Sequence, residues 1–465
     1  YGSNIFNGTV VVNTITPSTV IYVSSSRGSD STGNGSEDNP YATITKALTQ
    51  NAALGGNYTI IVEEGHYYVE DYTVTANFTI IGVGNVIIDG NNKRQFYFSA
   101  SSVKYAKFEG LTFVNGNGNA GSINTGSVSG GNGNAGRYLI INNCSFINNK
   151  GSYGAVIYTT MITTINGTSF INNTATGSQA YSGVINVQDN NLTINYCNFI
   201  NNTATNSAGL NGIYTKSGIK AMADYNFWGN NSKPGNLTVS SGVNITKWVI
   251  LLINSNSTGQ TDPGDKINFT IDFTKYTDGV NNYTLSEIMP YITIKANATL
   301  GSFDQDSITI NTNGSMIYTA STVGYESVNF NIPSNFKKFN FTVGSQYSGI
   351  VYVSKTGTDS NIGSKDSPVA SISKAIEIAT AQGGSNKIII LNGTYNEGNL
   401  VINGDLEIIA NGTVIINGND ITGNGYEQIF DIVSGNVSFY GLTLNANSTN
   451  GAIVVRSGKL SITYS

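Results

Sequence analysis

Charge is scarce in this 465-residue chain: Asp, Glu, Lys and Arg together make up 11%, and the net charge is -5. No basic face is available to neutralise phosphates and no dense acidic tail is present, which excludes nucleic acid as a partner class. No apolar run approaches the roughly 20 residues of a membrane-spanning helix, so no membrane span is expected in the chain. Tyr1 opens no signal peptide, and export would require targeting and anchoring parts outside this sequence. Two cysteines, Cys144 and Cys197, allow at most one disulfide. Prolines number 7, against 54 glycines and 27 tyrosines. Polarity comes from Asn, Ser and Thr, a mixture compatible with disorder, but periodic Ile, Val and Phe argue for packed structure.

What is present is repetition. The block at 21–92 is written again at 351–420: IYVSSSRGSDSTGNGSEDNPYATITKAL returns as VYVSKTGTDSNIGSKDSPVASISKAI, and VIIDGNN as VIINGND. FEGLTF likewise returns as FYGLTL. The second copy ends sooner than the first, as a piece of a longer tandem array would. At about 100 to 200 residues per domain, the length also implies about three units.

A shorter repeat follows the first head: LTFVNGN, CSFINNK, TSFINNT, CNFINNT and YNFWGNN. Phe113, Phe146, Phe170, Phe199 and Phe227 recur every 24 to 33 residues, a period that means stacked supersecondary units. Within each unit the pattern alternates and is punctuated by Asn and Gly, so the units are short strands rather than helix pairs. The expected solution is a right-handed parallel β-helix with about three strands per turn. Asn at the corners of Phe-Ile-Asn-Asn tolerates left-handed backbone and can stack amides from rung to rung.

The open end of such a coil needs a cover. Ile44, Ala47 and Leu48, and in the copy Ile372, Ala375 and Ile376, stand at helical spacing and predict cap helices at about 40–52 and 368–382. Strict alternation in Val249-Leu251-Ile253, Ile267-Phe269-Ile271-Phe273, Val328-Phe330-Ile332 and Phe339-Phe341-Val343 predicts an antiparallel, immunoglobulin-like sandwich acting as a spacer. The fold expectation is all-β throughout. An N-terminal segment (1–20) precedes a capped β-helix (21–243), a sandwich (244–346) and the start of a second capped β-helix (347–465). The Gly/Asn tract 115–136 is expected to bulge as a loop.

These residues resemble the adhesin-like surface proteins of methanogenic archaea. The likeness covers essentially the whole chain. It rests on the Gly-x-Asp and Asp-x-Pro-x-x-Thr/Ser-Ile-x-x-Ala head, the FINN rungs, the closing DYNFWGNN (224–231) and the Lys247-Trp248 that follows. The resemblance implies a large, exported, cell-surface-associated protein with pectin-lyase-like β-helices and immunoglobulin-like repeats. Its partners would be host or microbial surface glycans and proteins, or copies of itself.

Polysaccharide-cleaving enzymes also use β-helices, so chemistry has to be sought. Hydrolysis needs convergent carboxylates, and uronate elimination needs a carboxylate-bound calcium with a basic residue. Between Leu111 and Asn231 the only acids are Asp189 and Asp224, and Arg137, Lys150, Lys216 and Lys220 are scattered. Glu63, Glu64 and His66 lie close in sequence, but the copy carries Leu391, Asn392 and Thr394 there, which favours a solvated corner. Lys93 and Arg94 align loosely with Thr422 and Gly423. Asp30, Glu37 and Asp38, with Asp359 and Asp366 in the copy, read as loop caps rather than calcium ligands. No cofactor and no catalytic or metal residue is expected.

Cys144 and Cys197 sit at one rung position with Thr168 between, about 9.6 Å apart and beyond disulfide reach. Buried free thiols follow, beside an internal Phe146-Phe170-Phe199 stack with Trp228 plugging the far end. Roughly twenty Asn-x-Ser/Thr sequons, among them Asn77, Asn166, Asn244, Asn268 and Asn411, point to glycosylation and an extracellular location. Three functions remain in play: a non-enzymatic adhesin-like or structural surface protein, a carbohydrate-active or carbohydrate-binding β-helix, and an envelope-layer or filament component. Chain cleavage abolished by one Asp or Glu change would favour the enzyme, and ordered lattices without ligand the last.

Overall fold

The computed structural model describes residues 20–98, 103–126, 136–177, 181–205, 209–236, 238–257, 259–332, 335–343, 350–380, 386–418, 428–446 and 451–464. Strands dominate, and the helices among the described residues are α1 (Ile44–Ala53) and α2 (Ile372–Thr380). The segment expected at 1–20 falls almost wholly outside the described residues.

After the head, each repeat contributes strands to three sheets, and every strand pairs in parallel with its counterpart one repeat away. One sheet runs through Tyr105–Glu109, Tyr138–Asn142, Ile162–Asn166 and Leu192–Asn195, joined by Thr112–Val114, Ser145–Ile147, Ser169–Ile171 and Asn198–Ile200. A second runs from Tyr72–Val74 through Phe96–Phe98, Ile123–Asn124, Ile157–Thr159 and Ile185–Val187 to Ile213–Thr215. A third holds Asn117–Ala120, Lys150–Gly154, Thr174–Ala175 and Thr203–Ala204. Within the Gly/Asn tract expected to be a loop, residues 127–135 lie outside the described residues, and the part before them carries the strands Asn117–Ala120 and Ile123–Asn124. Glycine costs a parallel ladder no backbone partner, and it lets the chain approach closely: a Cβ on Gly116 would lie 2.1 Å from the Gly121 carbonyl oxygen.

The two asparagines of each FINN corner have separate tasks. Asn148, Asn172 and Asn201 take left-handed backbone (φ 58°, 55° and 52°), the geometry Asn tolerates and β-branched residues resist. Asn149, Asn173 and Asn202 turn inward instead. Asn149 Nδ2 donates to Asn173 Oδ1 (3.1 Å), and Asn173 Nδ2 to Asn202 Oδ1 (2.9 Å). The same amides donate to the Phe113, Phe146 and Phe170 carbonyls, so a buried polar row satisfies itself.

Beneath them Phe113, Phe146, Phe170 and Phe199 stack face to face with centroids 4.5, 5.4 and 5.1 Å apart. The next ring in the stack is Trp228 at 4.3 Å, not Phe227. Asn198 pairs with Phe227, so the YNFWGNN repeat is offset by one residue from its predecessors. Period two sends Phe227 to the opposite face, where it meets Phe273 edge-on at 5.1 Å.

Both heads are covered as expected by helices whose Ile44, Ala47 and Leu48, or Ile372, Ala375 and Ile376, are buried. The helices start later than the spacing predicted. Tyr41 and Val369 are still extended, bridging to Val23 and Val353, and Thr43 is the N-cap of α1.

Residues 248–343 form two five-stranded sheets, antiparallel apart from the pairing of Gln260–Thr261 with Thr342 and Val343. The first strand, Trp248–Ser255, serves two cores. Trp248 and Ile250 pack with the first array, whereas Val249, Leu251 and Ile253 pack inside the sandwich with Ile200 and Phe227. Its backbone continues the array's ladder, with Tyr225 N–H donating to Lys247 O and Val249 N–H to Asn226 O. The sandwich is therefore the cover over the array's far end, a role the spacer reading missed.

The second array repeats the plan with Lys387–Asn396, Leu406–Asn417, Asn436–Asn445 and Lys459–Thr463 in parallel, and Leu400–Asn403, Phe430–Ser434 and Ile453–Val455 beside them. Tyr325 of the sandwich packs into its core, beneath the Lys374 ammonium of α2 at 3.8 Å.

Candidate binding face

Of the acids singled out in the sequence, Asp30, Asp359, Asp224, Asp189 and Glu63 each have a separate structural partner. Asp30 accepts hydrogen bonds from Ala42 N (2.9 Å), Thr43 N (3.1 Å) and Thr43 Oγ1 (2.6 Å), capping the entry to α1. Asp359 does the same with Ala370 N, Ser371 N and Ser371 Oγ. Asp224 repeats the motif at the sandwich junction, with Thr246 N, Lys247 N and Thr246 Oγ1. Asp189 accepts from the Asn190 amide. Glu37 lends Arg27 its backbone carbonyl oxygen.

Glu63, Glu64 and His66 do not converge. Glu63 pairs with Arg27, whose hydrogen bonds hold its carboxyl below the usual range. His66 lies 3.0 Å from Asp89, which also accepts from Asn91 N and Asn115 Nδ2. Lys93 pairs with Glu70 (2.7 Å) and Arg94 with Asp71 (3.0 Å). Thr422 and Gly423 lie outside the described residues. Among the described residues no three His, Cys, Asp or Glu side chains are grouped to hold a metal ion. Arg137 is fully buried and donates to the Val103 and Thr125 carbonyls, tying strands together.

Cys144 and Cys197 are buried free thiols. They belong to one row with Thr168 and Asn226: Cys144 N donates to Thr168 Oγ1, Thr168 N to Cys197 Sγ, and Cys197 N to Asn226 Oδ1. Burial pushes the Cys144 thiol up to about 12 and raises Cys197 further. Of the sequon asparagines, Asn244, Asn268 and Asn411 are exposed and Asn166 is half-buried. Asn77 is engaged in the fold, accepting from Lys104 N and Tyr105 N and donating to Asn57.

The feature that the sequence reading missed lies on the second sheet. Along the stack the middle residues of its strands are Thr73, Tyr97, Asn124, Tyr158, Asn186 and Tyr214, each in parallel register with the next, with Asn124 and Asn186 buried between the tyrosines. Tyrosine thus recurs at every second strand, and strands about 4.8 Å apart set the rings' attachment points about 9.6 Å apart. All three rings are half-buried, each held by a companion. The Arg94 guanidinium lies 4.5 Å from the Tyr97 centroid, Tyr153 meets Tyr158 edge-on at 6.2 Å, and Tyr181 stacks on Tyr214 at 5.1 Å. Between them Asn186 donates to the Tyr153 carbonyl and accepts from Gln188. The signal was present in the triplets Phe96-Tyr-Phe98, Ile157-Tyr-Thr159 and Ile213-Tyr-Thr215, separated by Ile123-Asn-Thr125 and Ile185-Asn-Val187.

A second tyrosine group, at the junction, has a structural explanation. Tyr196 and Tyr225 stack at 5.3 Å, Tyr276 meets Tyr225 edge-on, and Lys247 lies over both Tyr225 and Tyr276, donating to the Tyr225 hydroxyl. Tyr196 and Tyr225 hold left-handed backbone (φ 54° and 59°), a strained state that this packing sustains.

The chain matches no family model, and no match was found among the curated proteins or the solved structures compared with it. No helix among the described residues is long and apolar enough to cross a membrane.

Proposed function

We propose that this chain belongs to an extracellular, adhesin-like or structural surface protein of the kind its motifs resemble. On this reading the two parallel arrays (21–243 and 347–465) are right-handed parallel β-helices and the unit at 244–346 is an immunoglobulin-like sandwich. The right hand follows from the crossover preference of parallel strands. The protein presents rigid faces to surface glycans or proteins, catalysing nothing and needing no cofactor.

One observation carries this reading. Asp30, Asp224 and Asp359 are used as backbone caps and Glu63 in an ion pair, while the second sheet carries a row of half-buried tyrosines at every second strand, with the buried Asn124 and Asn186 between them. A hydrolase needs two carboxyl groups within about 5 to 9.5 Å, facing a sugar. Fusion of the sandwich strand to the first array's ladder supports the rigid-rod role, because no free linker separates those two units. Asn244, Asn268 and Asn411 are exposed sequon sites open to sugar attachment.

The test is a cell and glycan binding screen on the whole chain, with polysaccharide breakdown followed in the same wells. Retention without breakdown is expected. Breakdown abolished by a single Asp or Glu substitution would make the protein an enzyme, and ordered assembly without any ligand would make it an envelope component.

A further inference from the structure

We infer that the Tyr97–Tyr158–Tyr214 row is a binding site for a neutral, extended, β-linked polysaccharide lying along the stacking axis. This rests on the non-catalytic surface reading above and names the ligand class of its contact face. The argument begins with period. Strand stacking places one tyrosine every two strands, about 9.6 Å apart, close to the length of two sugars in an extended β-linked chain. In such a chain each ring is turned by half a rotation from its neighbour, so the same face recurs every second sugar. A tyrosine every second strand meets that repeat in phase.

Chemistry agrees with the spacing. Aromatic rings stack on the C–H faces of sugars, and their hydroxyls bond ring oxygens and hydroxyl groups. Each ring in the row is already braced by Arg94, Tyr153 or Tyr181, so little side-chain freedom is lost on binding. Tyr181, the companion at one end, is exposed and widens the platform. The row contains no carboxylate, and its flanking cation, Arg94, is neutralised by Asp71 at 3.0 Å. A uronate or sulfated chain would meet no cation within the row itself, exposed Lys216 lying two residues beyond Tyr214 at one end, which favours a neutral glycan. An α-linked chain coils and would lose phase after one contact.

The experiment measures binding of the whole chain to linear neutral β-1,4-linked hexasaccharides (glucan, mannan, xylan and N-acetylglucosamine types) by calorimetry. The α-1,4-glucan hexamer and a polyuronate are the contrasts. At least one β-linked hexamer is expected to bind at least 10-fold more tightly than its own disaccharide and than both contrasts. Tyr158→Thr, which installs the residue this row carries at position 73, should weaken binding at least 10-fold with an unchanged melting curve. Tyr158→Phe should retain most of it, and Tyr283→Ala, in the sandwich, all of it. No binding to any β-linked hexamer, or equal binding by Tyr158→Thr, overturns the inference. Cell retention that survives Tyr158→Thr and is abolished by protease treatment of the cells also overturns it, assigning the face to a protein partner. Binding accompanied by new reducing ends would instead sink the non-catalytic reading and leave the site standing.

Discussion

Substituting the two adjacent asparagines of one corner separates backbone geometry from buried hydrogen bonding. Asn173 is fully buried. It donates to Phe146 O (2.9 Å) and Asn202 Oδ1 (2.9 Å) and accepts from Asn149 N (3.0 Å) and Asn149 Nδ2 (3.1 Å). Asn173→Ala leaves the Asn149 amide without that acceptor and the Phe146 carbonyl without that donor. At about 1 to 3 kcal/mol for each buried group left unsatisfied, the cost is about 4 kcal/mol. Asn172 is exposed and sits at φ 55°, so glycine there should change stability by less than about 1 kcal/mol. Asn172→Val adds the left-handed penalty of a β-branched residue, about 2 kcal/mol. A chain of several units does not melt in one step, so native-state hydrogen exchange is the assay, read at amides of the strands that include residues 145–147, 169–171 and 198–200. Faster exchange confined to these strands is expected for Asn173→Ala and not for Asn172→Gly. Equal effects of the two substitutions would refute the division of labour.

Other outcomes follow from the same packing. In the sandwich, burial pushes the Glu326 carboxyl up, but hydrogen bonds from Thr299, Tyr318 and Leu300 outweigh it and hold it below the ordinary value. Its stabilisation is therefore complete above the unfolded value of about 4.3 and is lost as pH falls through the lower folded one. Glu326→Gln should cost about 3 kcal/mol at neutral pH and flatten acid unfolding of the sandwich, followed by tyrosine fluorescence; an unchanged acid midpoint contradicts this. Trp228→Ala should destabilise the junction by about 3 to 5 kcal/mol, and Phe227→Ala should instead loosen the sandwich; matching exchange patterns for the two would refute the one-residue offset. Cys144 and Cys197 should react with a thiol reagent only at the rate of unfolding, since burial raises both thiols; rapid labelling of the native chain would place them at the surface. Asp224→Ala should raise protease sensitivity near 246–248, as the cap on Thr246 and Lys247 is lost.

Repetition made most of the architecture readable. Period two inside units of 24 to 33 residues specifies parallel stacked strands, and FINN assigns both the corner and the amide row, because each needs a residue type that few others replace. The cap helices were legible from Ile44, Ala47 and Leu48, but their starts were not, since Tyr41 and Val369 are held extended by strand partners far off in sequence. Aligning aromatic letters puts Phe227 in series with Phe199, whereas the backbone pairs Asn198 with Phe227 and so sets Trp228 beside Phe199. At the start of the Gly/Asn tract, 117–120 and 123–124 are strand although low side-chain content reads as loop, because a ladder uses only backbone. The tyrosine row escaped notice because its members are 56 to 61 residues apart in sequence and become neighbours only through stacking. Asp30, Asp224 and Asp359 show why isolated acids carried so little functional signal, as one carboxylate can satisfy two amides and a hydroxyl.

The most direct test of the whole account is retention of the purified chain on a panel of intact cells and insoluble polysaccharides, with the supernatant analysed for released oligosaccharide. Bound protein over a clean supernatant, with retention reduced at least 10-fold in Tyr158→Thr, is the predicted result. Released fragments that disappear when a single carboxylate is substituted would contradict it.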